Sequence, residues 1–382
     1  MRKTGRMSAL DDYLASFTGE TGYLNWAAFG PLAPAVRSAM HDAVEVMGGY
    51  SPREHATVTA RTGRAVAGIA EMLGAKRAEV VLRPSSTDAL QHALYGLSGA
   101  VIAGSGEFPS ISLTLQRAAD ASSGALAPRW IDPADGRVTT DAVATALDDD
   151  VTAVAVSHVD YRTGYRADLT ALRELIGPDR LLIVDAVQSF GVVDEDWSTA
   201  DVVAGHGYKW LRSGRGTGFA RFSDRAVERL RPVLSGITGI DADGPFSGAV
   251  PPPASAARAF SASVPDHLAA VRLAAALDEM REAGVAAIAK AVQRNVDEIL
   301  AIAERHGIRS ATPADPARRA GIVSLVPDDA EGLGRALGDA GLAVTVRGGA
   351  VRVAAHAGTG AETLRMLDDA LTASGNRTFI TS

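Results

Sequence analysis

Between about residue 45 and residue 240, short apolar runs alternate with longer segments of helical periodicity, and this alternation constrains the fold most. Seven of the apolar runs are predicted strands: 79–83, 100–104, 128–131, 152–157, 181–186, 201–205 and 216–222. Several are apolar on both faces, which is typical of strands covered by helices on each side. The pattern predicts an α/β fold with a mostly parallel sheet flanked by helices. In such a sheet, ligands bind beyond the carboxyl ends of the strands.

The chain has 382 residues, more than one hydrophobic core usually supports, so we expect a large and a small domain. A Pro-, Gly- and Ala-rich segment at 241–256 indicates a loop or linker. A helical region at about 266–306, interrupted near Gly284, then precedes shorter strands and helices, which predicts an α+β domain. We divide the chain into an N-terminal segment that packs on the small domain or the active site (1–44), a large cofactor-binding domain (45–256) and a small C-terminal domain (257–382).

The composition excludes several classes of function. The chain has no cysteine, which rules out disulfides, thiolate metal sites and a protein thiol nucleophile. Its eight histidines show no HExxH-like spacing, so no metal site is expected. A net charge of −7 and an aromatic fraction of 5% argue against a nucleic-acid partner. Since no apolar stretch approaches the ~18 residues of a membrane span and no secretory signal is visible, we expect a cytoplasmic protein with no membrane partner.

The densest chemical signal lies at residues 181–222. A buried strand ends at Asp185, Gln188 follows, and a second strand leads to Lys209, which glycine and aromatic residues surround. Lysines prefer solvent, and a buried amine loses its charge readily and becomes a nucleophile. A buried lysine with a strand-end carboxylate is what a pyridoxal phosphate (PLP) enzyme needs: the lysine forms the Schiff base, and the carboxylate keeps the pyridine nitrogen protonated. The alternative is an ordinary α/β core with a salt-bridged lysine.

This segment resembles the class V aminotransferases of PLP fold type I, which include cysteine desulfurases, kynureninases and isopenicillin N epimerase-like enzymes. The resemblance rests on the string DAVQSFG at 185–191 and, about twenty residues on, on KWL at 209–211 with the glycine-rich strand that follows. It covers most of the chain. It implies a large and a small domain, PLP as cofactor, an amino-acid substrate, and a homodimer with active sites near the interface.

The resemblance also implies roles, residue by residue. Lys209 binds the cofactor and moves the proton at the substrate α-carbon. Asp185 pairs with the pyridine nitrogen, and Gln188 donates toward the ring hydroxyl. Tyr208 stands where relatives place a phosphate-binding histidine or tyrosine, and His206 stands where many have a phosphate-binding serine. A packing role for His206 stays open.

Three further strings match cofactor contacts in the family. Ser86 and Thr87 follow a strand and begin a helix, where hydroxyls and backbone N–H groups form either a phosphate site or an ordinary helix cap. Phe108 matches the aromatic residue that stacks on the pyridine ring, with a core role as the alternative. In SHVDYRTGYRADL, at 157–169, Tyr161 or Asp160 would approach the ring hydroxyl or the substrate, and the resemblance favours Tyr161.

Substrate contacts come from both ends of the chain in the same resemblance. Arg352 matches the arginine that grips the substrate α-carboxylate, which a guanidinium holds by two parallel hydrogen bonds. Arg347 competes for this role, and a surface position is the alternative for Arg352. The string YLNWAAFGPLAPAVRSAM would place Asn25 and Trp26 near the substrate.

The chain departs from the family's pattern at one phosphate contact. Where a threonine of many relatives reaches the phosphate of the neighbouring subunit, this sequence has Val264, preceded by Ser263. That contact is therefore in doubt, or moves to Ser263. The string GRGTG at 214–218 approaches a strand and does not open a helix, so we expect no nicotinamide cofactor.

The residues around Lys209 do not decide the reaction. After deprotonation of the α-carbon, PLP chemistry branches into transamination, racemisation, elimination or Cβ–Cγ hydrolysis. The lack of cysteine excludes a desulfurase that carries sulfur on its own thiol. We expect transamination of a small amino acid, which needs only Lys209, Asp185 and Arg352. The alternatives are a β-eliminating C–S lyase or kynureninase-like hydrolase, which Phe108 and Tyr208 favour, and a cofactor-free binding protein that has kept the fold.

Overall fold

A computed structural model of the chain describes residues 8–49, 51–242 and 248–377. Within these ranges the strands form two sheets, one of seven strands and one of four. No helix in the described ranges combines the length and the apolar character needed to cross a membrane. The same residues contain no cluster of three or more His, Cys, Asp or Glu side chains that could hold a metal ion.

The larger sheet has the architecture that the alternating pattern predicts. Its strands are β1 (Val80–Arg83), β2 (Gly99–Gly104), β3 (Leu126–Ile131), β4 (Val151–Ser157), β5 (Leu181–Asp185), β6 (Val202–His206) and β7 (Gly218–Phe222), in the order β1-β7-β6-β5-β4-β2-β3. β7 is antiparallel to both its neighbours, and the remaining pairs are parallel. The predicted mostly parallel sheet is therefore confirmed.

Both faces of this sheet are buried, as the apolar strands require. Along β4, Ala153 and Ala155 pack into one hydrophobic cluster, and Val154 and Val156 pack into another on the opposite face. The covering helices are α3 (Pro52–Met72), α4 (Ser86–Leu94), α5 (Pro109–Ala121), α6 (Thr140–Ala146), α7 (Leu169–Ile176) and α8 (Asp224–Arg229), preceded in the chain by α1 (Ala9–Ala15) and α2 (Pro34–Gly48). Short 3₁₀ turns occur at Arg77–Glu79, Trp197–Thr199, Ala256–Phe260 and Pro316–Arg318.

The C-terminal part contains a second sheet, with every pair antiparallel. Its strands are β8 (Arg309–Ser310), β9 (Ile322–Val326), β10 (Thr345–Arg347) and β11 (Ala350–Ala354), in the order β10-β11-β9-β8. The helices of this part are α9 (His267–Ala283), α10 (Val285–Arg305), α11 (Ala330–Asp339) and α12 (Ala361–Arg377). The predicted interruption is confirmed: Gly284 adopts a φ of +82°, which favours glycine, between α9 and α10.

The N-terminal segment joins the two parts of the molecule. Tyr23 and Asn25 form parallel bridges with Ala343 and Ala354 beside the smaller sheet. Helix α9 packs on α2 and α3, whereas α10 packs on β9 of the smaller sheet. The segments before and after the large sheet are thus interleaved, and the division of the chain into three parts stays a prediction.

Candidate active site

A cavity of about 230 Å³ lies at the carboxyl end of the larger sheet. Ser157, Asp185 and His206 end β4, β5 and β6, so these side chains reach the same edge. Most of the residues that the sequence singled out line this cavity: Ser86, Thr87, Phe108, Tyr161, Asp185, Gln188, His206, Tyr208 and Lys209. The topology therefore gathers into one place residues that are up to about 120 positions apart in the chain.

Lys209 is buried, with 5% of its surface exposed. Its Nζ lies 5.7 Å from the centroid of the Phe108 ring and 5.2 Å from that of the Tyr208 ring. Burial lowers the pKa of the amine to about 7, and the carboxylate of Asp185 opposes this shift. In a substantial fraction of the molecules, Lys209 is therefore an uncharged amine near neutral pH. The uncharged amine is the form that acts as a nucleophile and as a base.

Asp185 is the carboxylate at the end of β5. Burial raises its pKa to about 6, while a backbone hydrogen bond and the charge of Lys209 favour the ionised form. The Oδ1 atom accepts that hydrogen bond from the Val187 amide at 2.9 Å. The other carboxylate oxygen has no hydrogen bond to a described residue that would compete for a protonated ring nitrogen.

The loop that carries Lys209 is held by close backbone contacts. The amide of Gly30 donates to the Tyr208 carbonyl at 2.9 Å. A side chain at Gly30 would collide with the carbonyl of Lys209, and one at Gly207 would collide with the Ser213 hydroxyl. The two glycines therefore let the N-terminal segment and the loop approach closely behind the lysine.

The hydroxyl-rich end of the cavity fits an anion. Ser85 caps α4, because its Oγ accepts a hydrogen bond from the Asp88 amide at 3.1 Å. Ser86 and the other first-turn groups of α4 therefore remain available to bind an anion. The Thr87 hydroxyl lies 2.6 Å from that of Ser110. His206 Nε2 is buried without a hydrogen-bond partner among the described residues. Burial, followed by the charges of Lys209 and Arg215, lowers the pKa of His206 to about 3. Hydroxyls, a helix N-terminus and an unpartnered imidazole together suit a phosphate group.

Two aromatic side chains and an amide border the middle of the cavity. The rings of Phe108 and Tyr161 meet edge to face at 5.1 Å. The Gln188 amide donates to the Ala27 carbonyl at 3.0 Å and accepts from the Trp210 indole at 3.0 Å. These two bonds orient Gln188, and one hydrogen on its nitrogen remains for a ligand. Residues here therefore fit PLP: a base, a carboxylate, an aromatic face and a phosphate-sized polar end.

The predicted substrate residues lie elsewhere. Arg352, on β11, lines an adjoining cavity, and its Nη1 donates to the Tyr161 carbonyl at 2.9 Å. Asn25 accepts a hydrogen bond from the Thr345 hydroxyl at 2.8 Å. Trp26 departs from the expectation: it is 1% exposed, and its ring packs 5.0 Å from that of His356, in the interior. The indole thus supports the core and lines neither cavity.

Sequence reasoning missed three polar residues at the cavity. Ser110 and Ser157 line it, and each lies next to or within a string already singled out. Arg215 also lines it, with its guanidinium carbon 4.7 Å from the centroid of the Tyr208 ring, and the pattern of its GRGTG string by itself indicates no role at this cavity. Glu107, just before Phe108, is partly buried and accepts from the Ser157 amide at 3.0 Å, and desolvation of its carboxyl raises its pKa to about 7.

Comparison with known sequences identifies relatives over most of the chain. The family model "Aminotransferase class-V" matches residues 23–366. An uncharacterized aminotransferase of Bacillus subtilis, YcbU, is 28% identical over 250 residues, which are 63% of this chain and 65% of the relative. A kynureninase of Deinococcus radiodurans is 34% identical over 185 residues, 46% of this chain and 45% of the relative. The chain thus spans less than two thirds of either relative.

Solved structures with the same fold cover almost the whole chain. The apo cysteine desulfurase of Thermococcus onnurineus has a TM-score of 0.85 at 20% identity and covers 97% of this chain and 99% of its own. The cystine C–S lyase C-DES, in complex with its product cysteine persulfide, has a TM-score of 0.83 at 18% identity and covers 92% and 97%. The two-sheet architecture is therefore that of PLP-dependent enzymes of fold type I.

Proposed function

This chain belongs to the class-V aminotransferase family, whose members use pyridoxal phosphate, and from that premise we propose that it transaminates an amino acid. The observation that carries the proposal is Lys209: a buried amine whose pKa burial lowers to about 7, in the same cavity as the strand-end carboxylate of Asp185. Burial of an amine that can become charged lowers the stability of a fold, so packing alone does not explain a lysine at this position. Residues with such shifted pKa values are common at functional sites.

Each role in the proposal follows from the position of a side chain. When bound here, PLP supplies an electron sink that acidifies the substrate α-hydrogen. Lys209 takes up and returns the proton at that carbon, because its neutral form is well populated near pH 7. Asp185 holds the proton on the pyridine nitrogen. Ser86, Thr87 and neutral His206 donate hydrogen bonds to the phosphate, and Arg352 holds the substrate α-carboxylate.

A β-eliminating lyase or a kynureninase-like hydrolase is the second candidate. The similarity to a kynureninase over 185 residues favours it. So does Tyr161, whose ring lines the same cavity as Lys209 and meets the Phe108 ring edge to face, since an aromatic ring there suits a substrate with an aromatic side chain. Elimination and hydrolysis use the same proton removal, and differ from transamination in which bond breaks next.

We also propose that the enzyme is a homodimer, as its family implies. Val264 is 62% exposed and lies next to Ser263 on the wall of a third cavity, which Gly218 and Asp88 also line. Ser263 would then replace the threonine that contacts the neighbouring subunit's phosphate in relatives. Light scattering should give twice the mass of one chain, and a monomer would contradict this proposal.

The test is to mix the PLP-loaded enzyme with single amino acids and no keto acid. Transamination predicts loss of the visible absorbance of the cofactor, release of one equivalent of keto acid per active site, and recovery of the absorbance when a keto acid is added. Lys209→Ala should show none of these changes. Lys209→Arg is the matched control that keeps a long cationic side chain.

The other outcomes separate the alternatives. Continuous formation of pyruvate and ammonia would show that the reaction is elimination and not transamination. Formation of alanine from kynurenine would show that it is hydrolysis. If the wild-type protein acquired no visible absorbance with added PLP, transamination, elimination and hydrolysis would all be contradicted, and a cofactor-free binding protein would be favoured.

A further inference from the structure

A second cavity, of about 350 Å³, adjoins the one that holds Lys209. Tyr161 lines both cavities, so the two cavities are adjacent. The second contains three arginines, Arg162, Arg347 and Arg352, and none of the described residues that line it is acidic. A concave site with this composition suits an anionic group.

The arrangement of Arg347 and Arg352 follows from a tight hairpin. In the pairing of β10 with β11, Thr345 lies opposite Arg352, and Arg347 lies opposite Ala350. Residues opposite each other, and residues two apart, share a face of a sheet, so both arginines project from the same face. They are diagonal neighbours, with Cα atoms roughly 7–8 Å apart.

The turn of this hairpin restricts how Arg347 is presented. Gly348 and Gly349 have φ values of +57° and +74°, as a two-residue hairpin turn with both central residues left-handed requires. The turn therefore specifies the register of the two strands, and with it the relative position of the two arginines.

The charges of the two arginines are not compensated within the cavity. Asp160, a carboxylate close to Arg352, already bonds Arg162 at 2.8 Å and the Thr163 amide at 2.7 Å. Arg352 Nε is buried and has no hydrogen-bond partner in the described part of the chain. Burial, and next the charge of Arg347, lower the pKa of Arg352. Two like charges that face one cavity are unfavourable unless a ligand neutralises them.

We propose that the substrate is a dicarboxylic amino acid, with its α-carboxylate on Arg352 and a second carboxylate, at the end of its side chain, on Arg347. The proposal rests on the proposed function in one respect: the amino acid must react at Lys209. Each of the two planar guanidinium groups then binds one carboxylate, and the enzyme selects its substrate by the negative charge of the substrate's side chain. Because Arg347 is at the exposed rim, its contribution should fall as salt is added.

The test measures binding without chemistry. Calorimetric titration of the PLP-loaded enzyme compares glutarate with pentanoate, which has the same carbon chain and only one carboxylate. Neither has an amino group, so neither reacts. We expect glutarate to bind about tenfold more tightly, as one additional charge-assisted contact at a partly exposed site would give. Arg347→Gln should abolish this preference and leave the pentanoate dissociation constant unchanged, whereas Arg352→Gln should weaken both ligands.

A matched control removes the same charge elsewhere. Arg335 is exposed on α11 of the same part of the molecule, so Arg335→Gln should retain the tenfold preference. Arg347→Lys should retain part of it, because lysine keeps the charge and loses the planar pair of donors. Far-ultraviolet circular dichroism verifies that each variant is folded.

Each remaining outcome overturns either this proposal or the proposed function alone. Equal binding of glutarate and pentanoate, or a preference that persists in Arg347→Gln, would overturn the dicarboxylate proposal even if the enzyme transaminates. Displacement of glutarate by equimolar inorganic phosphate in an Arg347-dependent manner would assign the cavity to a phosphorylated side chain instead. An Arg347-dependent preference in an enzyme that fails to transaminate glutamate or α-aminoadipate would overturn the proposed reaction and leave the binding assignment intact.

Discussion

Lys209 and Asp185 are buried together, and the charge of each affects the pKa of the other. Burial disfavours the charge of each, and each charge favours the ionised form of the other. Lys209 is the more consequential of the two, because its pKa of about 7 makes the population of nucleophilic amine change most steeply near neutral pH. At the scale of single residues, desolvation and the charge of Asp185 are therefore the two largest influences on the pKa of Lys209, followed by the charges of Arg352 and Arg215.

This predicts how the apoenzyme captures its cofactor as pH changes. Only the uncharged amine attacks an aldehyde, so the capture rate should rise with pH, with a midpoint at about 7, and then level off. Asp185→Asn should move the midpoint to lower pH, because the carboxylate stabilises the ammonium form. Stopped-flow absorbance of apoenzyme mixed with PLP measures the rate.

The matched control for this experiment is Glu331→Gln, which removes an exposed carboxylate on α11 and should not move the midpoint. A midpoint near the ordinary lysine value of about 10.4 would contradict the desolvation argument. A shift to higher pH in Asp185→Asn would show that the carboxylate does not act on the amine directly.

At the scale of elements, β7 supports the turn that begins α4. Gly218, the first residue of β7, lies so close to the loop after β1 that an added Cβ would be 2.6 Å from the backbone atoms of Ser85. Its φ is not in the left-handed region, so the requirement for glycine comes from this contact alone. The position of this turn, which we propose to bind the phosphate, therefore depends on a strand that is distant in sequence.

Gly218→Ala should displace this turn. Backbone atoms cannot move aside as a flexible side chain would, and we expect a destabilisation of about 1–3 kcal/mol, as for overpacking in a core. The affinity for PLP should fall with it, because Ser86 and Thr87 move. Thermal unfolding of the apo form and a PLP titration measure the two effects.

Gly63→Ala is the corresponding control, since Gly63 is exposed in the interior of α3 and an added Cβ would meet nothing within 4 Å. It should stabilise the protein by about 0.5–1 kcal/mol, the usual cost of glycine in a helix, without changing PLP affinity. An unchanged PLP affinity in Gly218→Ala would show that the turn is held by α4 itself.

At the scale of the whole molecule, Arg212 ties the N-terminal segment to the lysine loop. Its guanidinium is buried, lies 3.9 Å from the Phe17 ring centroid, and donates to Ser16 Oγ at 2.9 Å, to the Ser16 carbonyl at 3.0 Å and to Glu20 at 3.1 Å. Arg212 also has a φ of +57°, a conformation that non-glycine residues rarely adopt. Several polar contacts from α1 and the segment after it thus converge on one residue three positions from Lys209.

Arg212→Met should reduce the free energy of unfolding by about 3–5 kcal/mol, because it leaves Glu20 partly buried without its partner. Urea unfolding of the apo protein measures this value. Arg365→Met, on the exposed side of α12, should change it by no more than about 0.5 kcal/mol. Equal effects of the two substitutions would show that the N-terminal segment contributes little to stability.

The strands and helices around the large sheet were predictable because their signal is local. Strands with both faces buried are apolar throughout, and the predicted segments at 100–104, 152–157 and 181–186 differ from the observed strands by one residue at an end. The two-residue strand Arg309–Ser310 was missed, since it is exposed and polar. Too short a segment carries no periodicity.

Residue type and chain order therefore predicted the α/β fold, and polar residues that end parallel strands were expected to meet at one edge. The PLP family and the chemistry expected of Lys209 and Asp185 came from the resemblance of residues 185–191 and 209–211 to a known family. The tertiary structure alone decided which distant side chains share a cavity. It buried Trp26 in the core, placed Arg347 beside Arg352 and brought Arg215 next to Tyr208. These arrangements depend on packing between segments far apart in the chain, where no local pattern records which partner a side chain will contact.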